Sequence, residues 1–338
     1  MTDDRPPRAL TIAGSDSGGG AGIEADLKTF EAHGVWGLAA VAAVTAQNTL
    51  GVQAWEPVSP ALVRAQIESV VSDIGVGATK TGMLADAGLV VTVADAVADL
   101  GIGPLVVDPV SVSKHGDPLL EVAAIDVLRH RLVPLADLVT PNLPEAAALA
   151  GLDDVRDRDG MEEAGRRILD LGAGAVLVKG GHLEGGGAPD CLVSGGGVEW
   201  LEGERVPGRH THGTGCVLSA AAAARLARGE PLRAAVAGAK VFVTDAIRRG
   251  LDLGAGVGPV NPGAVLGPGP ACRTTRDAPA RGRGATQWRR DARTQRAARR
   301  PRVGFRRVGS RPPPDGHGHR CAGRPDPRGH RRTPAHRG

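Results

Sequence analysis

Arg8-Ala-Leu-Thr-Ile-Ala13-Gly14, Ser15-Asp-Ser-Gly-Gly-Gly-Ala-Gly22 and Ile23-Glu-Ala-Asp-Leu-Lys-Thr-Phe30 follow one another without a break. The first segment is short and apolar and reads as a buried strand. The second is a glycine-rich turn. The third sets Ile23, Leu27 and Phe30 on one face of a helix. Such a unit invites a nucleotide-phosphate reading, but Gly20 stands where a P-loop spacing from Gly14 and Gly19 needs lysine. No GxGxxG register fits either. The turn therefore reads as the wall of a small-molecule pocket, and Asp26, one turn into the helix, as a candidate acceptor for a polar ligand.

The alternation continues along the chain. Gly37–Val44 is a second apolar strand running into Thr45-Ala-Gln-Asn-Thr49, and Pro60–Ile74 is an amphipathic helix. Further strands are expected at 78–82, at 105–110, at the start of 138–145 and at the start of 175–182, with helices at 89–100, 119–132 and 161–171 between them. A hairpin at 191–201 and a last helix at 232–249 complete the body, which is expected to end near Pro262. Strands alternating with helices predict an open, mostly parallel α/β sheet with a late hairpin.

Charge divides the 338 residues unevenly. From Gly263 onward there are 20 arginines, no lysine, four aspartates and no glutamate, a balance of +16. Residues 1–262 carry 21 basic and 33 acidic side chains, a balance of −12. The tail lacks apolar periodicity and cannot bury a core. Its composition suits a nucleic-acid-binding arm, but the absence of Lys and Glu fits an out-of-frame translation of a GC-rich gene better. Cys191, Cys216, Cys272 and Cys321 form no CxxC pair and no zinc spacing. With no apolar leader and no long apolar run, the chain is expected to be cytoplasmic, without a membrane partner.

Candidate chemistry sits at strand ends and helix starts. Gln47 is expected just past a strand, where its amide donates and accepts at once, as a heteroaromatic base requires. Met83 opens the turn after a strand and suits an apolar ring. Asp108 tips the strand Leu105-Val-Val, before a proline that stops the ladder, and is placed for Mg²⁺. Glu145, three residues after Asn142, either completes a helix cap or joins Asp108 in holding hydrated Mg²⁺. Lys179 leaves a buried strand as a candidate phosphate contact. Thr211-His-Gly-Thr-Gly-Cys216 runs into the Ala-rich segment 217–225. Unpartnered amides at such a helix start make an anion site, and Cys216 is expected to ionise more easily there than a free cysteine.

In their order, Gly14–Phe30, Thr45–Thr49, Lys80-Thr-Gly-Met-Leu84, Asp108-Pro-Val110, Thr140-Pro-Asn-Leu-Pro-Glu145, Val178-Lys-Gly-Gly-His182 and Thr211–Cys216 resemble the successive motifs of the hydroxymethylpyrimidine and phosphomethylpyrimidine kinases of thiamine biosynthesis. The resemblance covers about residues 8–262. It implies a three-layer ribokinase-like fold, a central mostly parallel sheet flanked by helices, and a homodimer. It implies ATP and Mg²⁺ as cofactors, a small pyrimidine substrate, and two successive phosphorylations ending in a pyrophosphate. Gln47 would bond the pyrimidine, with Asp26, Met83 and Val110 lining its pocket. Asp108 and Glu145 would belong to the Mg²⁺ region, and Lys179, Lys240 and Thr211 to the nucleotide side. Gly213, Thr214 and Gly215 would form the anion hole, with Cys216 as base. A pyridoxal-type kinase is the nearest rival, and a nucleic-acid-associated protein acting through the basic tail is the rival from another class.

Overall fold

A computed structural model describes residues 5–110, 122–181, 183 and 187–266. Most elements form where the sequence supplies an apolar pattern. The first half comprises β1 (Arg8–Gly14), α1 (Gly22–Ala32), β2 (Trp36–Asn48), β3 (Gly51–Pro57), α2 (Pro60–Asp73), β4 (Ala78–Thr81), α3 (Ala87–Leu100) and β5 (Leu105–Val107). There follow α4 (Val122–Val127), β6 (Leu138–Val139), α5 (Leu143–Ala150), α6 (Arg158–Leu169) and β7 (Ala175–Lys179). The hairpin β8 (Asp190–Ser194) and β9 (Gly197–Leu201) leads to α7 (Thr214–Ala227) and α8 (Leu232–Arg248). Asp86 caps α3 by accepting from the Leu89 amide, and Gly101 ends that helix at φ +60. A full capping box between Asn142 and Glu145 starts α5.

The nine strands form one sheet in the order β3-β2-β1-β4-β5-β6-β7-β8-β9. From β2 through β7 all neighbours are parallel, and antiparallel pairing is confined to the β2–β3 edge and to β7-β8-β9. The two faces carry separate cores. Leu10, Ile12, Val107, Val176 and Val178 pack with α2, α3, α5 and α6, while Ala9, Val106, Ala175 and Leu177 pack with α1, α7 and α8. Alternation along each strand thus builds the three layers. Helix α7 is buried all round because it lies between the sheet and its neighbouring helices. Ala220 to Ala224 are each at most 1% exposed. Leucine in place of Ala221 would overpack that layer at a cost of about 1–3 kcal/mol.

Two sequence expectations change. β2 runs on through Gln47 to Asn48 and pairs with β3, so Gln47 sits inside a ladder rather than beyond a strand. The register shifts between Ala46 and Gln47, which re-aims the glutamine. β3 itself was not expected: it is a largely exposed edge strand without a buried apolar face. Ordered backbone continues for a few residues beyond Pro262. A 3-10 turn spans Pro262–Leu266, Arg249 donates to the Ala264 carbonyl at 3.0 Å, and the Val260 amide donates to the His212 carbonyl at 3.0 Å. The rest of the basic tail lies outside the described residues. Among the described residues, no helix is long and apolar enough to cross a membrane.

We propose residues 5–266 as the folded body. A chain ending at Leu266 is expected to keep the unfolding temperature of the full chain in calorimetry. One ending at Arg249 loses the strap over His212 and should unfold at lower temperature. Equal losses in both would show that the tail supports the fold.

Candidate active site

β1 lies between β2 and β4, so the connections diverge on either side of it, and the parallel strands all end at the same edge. Open α/β sheets bind ligands at such a place. A cavity of about 160 Å³ occupies it, lined by Gly14, Gln47, Met83, Val110, Asn142 and Lys179 from six successive strand ends. Gly213, Gly215 and Cys216 close its far wall. A second cavity, of about 350 Å³, lies on the other side of this turn and is lined by Thr211, Thr214, Leu218, Lys240, Val243 and Thr244. Lys179 lines both. The first cavity suits a single substituted ring, and the second has room for a nucleotide.

The turn before α7 is held by close backbone packing. Gly213 adopts φ +82, and a Cβ there would run into the Gly20 carbonyl of the glycine-rich turn. Asp16 ties the two turns together. Its carboxylate accepts from the amides of Gly18, Gly20 and Ala21 at 2.8, 3.0 and 2.8 Å and from His212 Nε2 at 2.8 Å. Burial alone would raise the Asp16 carboxyl; the bonds from His212, Gly18 and Ala21 outweigh it and hold the group below the usual carboxylate range. Glu24 fixes the same turn by accepting from the Asp16 amide at 2.7 Å.

A buried lysine, Lys80, and a half-buried one, Lys179, stand at the cavity among carboxylates. Lys179 Nζ stands 3.0 Å from Asp108 and 4.0 Å from Glu145. Burial would push this ammonium down, but Asp108 and Glu145 hold it above the ordinary lysine value. Asp108 is further contacted by Thr140 at 3.2 Å and by Ser219 at 3.1 Å. Against the raising effect of burial, Lys179 and Lys80 keep its carboxyl below the usual range. Glu145 also accepts from the Asn142 amide at 2.8 Å. The cap reading of Glu145 holds in geometry, since it completes the capping box of α5; on its other side it shares the Lys179 ammonium with Asp108.

The structure gathers Gln47, Met83, Val110, Asp108, Glu145, Lys179, Gly213, Gly215 and Cys216 at the ring-sized cavity, and Thr211, Thr214 and Lys240 at the larger one. Asp26 is the exception. It is wholly buried behind the wall, accepting from Thr11 at 2.6 Å and paired with Lys80 at 2.8 Å. It reaches the cavity only through Lys80, which lines it. Its helical spacing hid this, because one turn into α1 is also where the helix meets the sheet. Lys240 is already engaged, donating to Asp190 and to the Ala188 carbonyl, both at 2.6 Å.

The surroundings of the half-buried Cys216 work against its expected acidity. Burial pushes its thiol up to about 11, with Asp26 and Asp108 adding to the rise against the pull of Lys80 and of the Gly22 amide. The helix terminus does not compensate for lost water. Sequence reasoning also passed over Asp16, His212 and Lys80. Asp16 and His212 each stand beside a quoted glycine motif, and Lys80 is a lone cation in an otherwise uncharged strand.

Two adjoining cavities divided by a helix N-terminus, at the switch point of this sheet, define a small-molecule kinase of the ribokinase-like class. The family model for phosphomethylpyrimidine kinase matches residues 16–261, and the chain belongs to that family. It is 53% identical over 264 residues to the hydroxymethylpyrimidine/phosphomethylpyrimidine kinase of Streptomyces coelicolor, covering 78% of this chain and 96% of that protein. It is 49% identical over 252 residues to the thiamine biosynthesis bifunctional protein ThiED of Geobacter sulfurreducens, covering 75% of this chain and 51% of that protein. Among solved structures, an ADP complex of Bacillus subtilis pyridoxal kinase aligns with TM-score 0.73 at 39% identity, over 78% of this chain and 99% of the other.

Two outcomes follow from the geometry. Gly213→Ala places a side chain at positive φ, costing about 1–2 kcal/mol, and drives it into the Gly20 carbonyl, which adds to that cost. Calorimetry should show a fall in Tm of about 2–8 °C or more. Alkylation of the ligand-free protein, resolved by peptide mass spectrometry, should modify Cys216 slowly at neutral pH and faster as pH rises toward about 11. Cys191, pushed up by burial to about 12, should stay inert over the same range. Half-maximal reaction of Cys216 near or below the free-cysteine value of about 8.5 would contradict the buried-thiol account.

Proposed function

We propose that the chain transfers the terminal phosphoryl group of ATP to the hydroxyl of 4-amino-5-hydroxymethyl-2-methylpyrimidine, then to the monophosphate so formed, making the pyrophosphate for thiamine biosynthesis. The observation that carries this reading is the N-terminal turn of α7, set between a ring-sized cavity and a nucleotide-sized one. Gln47 bonds the heteroaromatic edge, and Met83 and Val110 cover the ring. The amides at Gly213, Thr214 and Gly215 meet the transferring group, and Lys179 reaches it from the strand side. Thr211 and Lys240 serve the nucleotide. Asp26 acts behind this surface, by keeping Lys80 charged.

Magnesium fits the acidic pair. Among the described residues no three acidic, histidine or cysteine side chains converge, so an ion here would draw on two carboxylates and complete its shell with phosphate and water. Asp108 and Glu145 already share one cation, Lys179, which shows that the position favours positive charge. When bound, magnesium would neutralise phosphate charge. Lys179 must then turn from the carboxylates toward the phosphoryl oxygens.

Phosphoryl transfer depends mainly on positioning and charge stabilisation, so a weak base suffices. Cys216 takes the hydroxyl proton in the first transfer. Its thiolate is rare at neutral pH, which puts its contribution at the lower end of the range for general bases, about 10²-fold. In the second transfer the acceptor is already an anion and needs little base. Pyridoxine is the acceptor to run alongside, given the likeness to a pyridoxal kinase. The greater identity to the Streptomyces enzyme favours the pyrimidine. The body's balance of −12 argues against a nucleic-acid partner. We further propose a cytoplasmic homodimer, supported by the exposed Val44 and Leu50 on the β2–β3 hairpin.

An assay with ATP, Mg²⁺ and the hydroxymethylpyrimidine, with both products resolved, tests the reading. Monophosphate and then pyrophosphate are expected; turnover of pyridoxine alone would replace it. Cys216→Ala should slow the first transfer by about 10²-fold and the second far less. Because the thiol must deprotonate, the native first-step rate should climb as pH rises from 6 to 9, and that slope should vanish in the variant. Equal losses in both steps would remove Cys216 from the role of base.

A further inference from the structure

We propose that His212 is a positioning residue that fixes which end of the Gln47 amide faces the substrate, and thereby selects an aminopyrimidine over its oxo counterpart. The inference rests on the pyrimidine reading above. Asp16 receives three backbone N–H bonds, from Gly18, Gly20 and Ala21. A carboxylate engaged in this way is purely an acceptor. His212 Nε2, 2.8 Å from Asp16 Oδ2, must therefore carry a proton and donate it, whether the ring is neutral or charged.

The same Nε2 lies 3.3 Å from the terminal position of Gln47 occupied by its amide nitrogen. An N–H facing an N–H is repulsive. Amide oxygen and nitrogen have nearly the same shape, so the proton count decides between them. The oxygen faces His212, and the NH₂ group takes the other position, toward the cavity that Gln47 lines. The glutamine backbone cannot shift to relieve this. Its amide donates to Ser17 Oγ at 2.8 Å, and its carbonyl accepts from the same hydroxyl at 2.9 Å. The histidine ring is equally confined, because even a Cβ on Gly20 would strike it.

An amide held in that sense has one hydrogen-bond preference. Its oxygen keeps a second lone pair for an exocyclic amino group, and its NH₂ donates to the adjacent ring nitrogen. A 4-oxo ring in its lactam form reverses both partners, offering a carbonyl acceptor and a ring N–H donor. A free glutamine would rotate its amide by half a turn to suit the oxo ring. One held against His212 would have to set its NH₂ against the Nε2–H that already donates to Asp16, a repulsive contact.

The test compares native protein, His212→Leu and His212→Gln on the 4-amino substrate and its 4-oxo analogue. Nitrogen-15 NMR of the ligand-free protein reads the histidine side chain in parallel. Native protein should strongly prefer the amino ring in kcat/KM. His212→Leu should shrink that preference by about tenfold or more, through KM for the pyrimidine, with KM for ATP unchanged. His212→Gln has two N–H groups, one for Asp16 and one for Gln47, and should restore most of it. If the leucine variant does not fold, Asp16→Asn, which removes the obligatory acceptor, should lower the preference in the same way. An unchanged preference in the folded variants overturns the inference. In the NMR arm a protonated Nε2 supports it and a bare Nε2 overturns it, even if neither ring is phosphorylated. That last result, with a protonated Nε2, would remove the proposed function alone.

Discussion

Asp16 is buried and charged, and it is satisfied only by segments far apart in the chain: three amides of its own turn and a histidine 196 residues away. An ionised carboxylate cannot remain inside a protein without such partners. Meeting that demand brings the glycine-rich turn after β1 against the turn before α7. The contact is so close that both turns must be glycine where they meet, at Gly20 and Gly213. The ring-sized cavity is the space left between them and the ends of the parallel strands. One electrostatic requirement thus sets the distance between the glycine-rich turn after β1 and the first amides of α7.

The alternating strands and helices were legible because parallel strands are buried on both faces, and their apolar runs contrast sharply with amphipathic helices. β3 was not legible, since a half-exposed edge strand has no such contrast, and missing it misplaced Gln47 at a loop. The end of the body was blurred for a similar reason. The segment from Gly250 to Leu266 holds on through backbone bonds and glycine contacts with Thr49 and His210 rather than through an apolar stripe.

In the site, residue types and strand-end positions were readable, but protonation was not. Cys216 at a helix start suggested an acidic thiol. The three-dimensional surroundings, with carboxylates at Asp26 and Asp108 and little water, reverse the sign. Asp26 shows the same limit from the other side. Its motif lies beside the cavity, yet its carboxylate is buried behind the wall and turned to Lys80 and Thr11 through one oxygen. Whether a polar residue touches a ligand or supports one that does depends on neighbours from other elements, which spacing along one helix does not reveal.

A weakly acidic thiol and heavily paired lysines are consistent with one another chemically. A phosphoryl group in transfer needs positive charge and fixed donors more than it needs a strong base. Lys179 and Lys80 keep their protons because carboxylates accompany them into the interior, so positive charge is present before any substrate arrives. Those same carboxylates oppose ionisation of Cys216. The arrangement that secures the lysines therefore weakens the base. A site built this way spends its interior electrostatics on the migrating phosphate rather than on the attacking hydroxyl. On the proposed reading, such a site suits a second acceptor that has no proton to give up as well as the first.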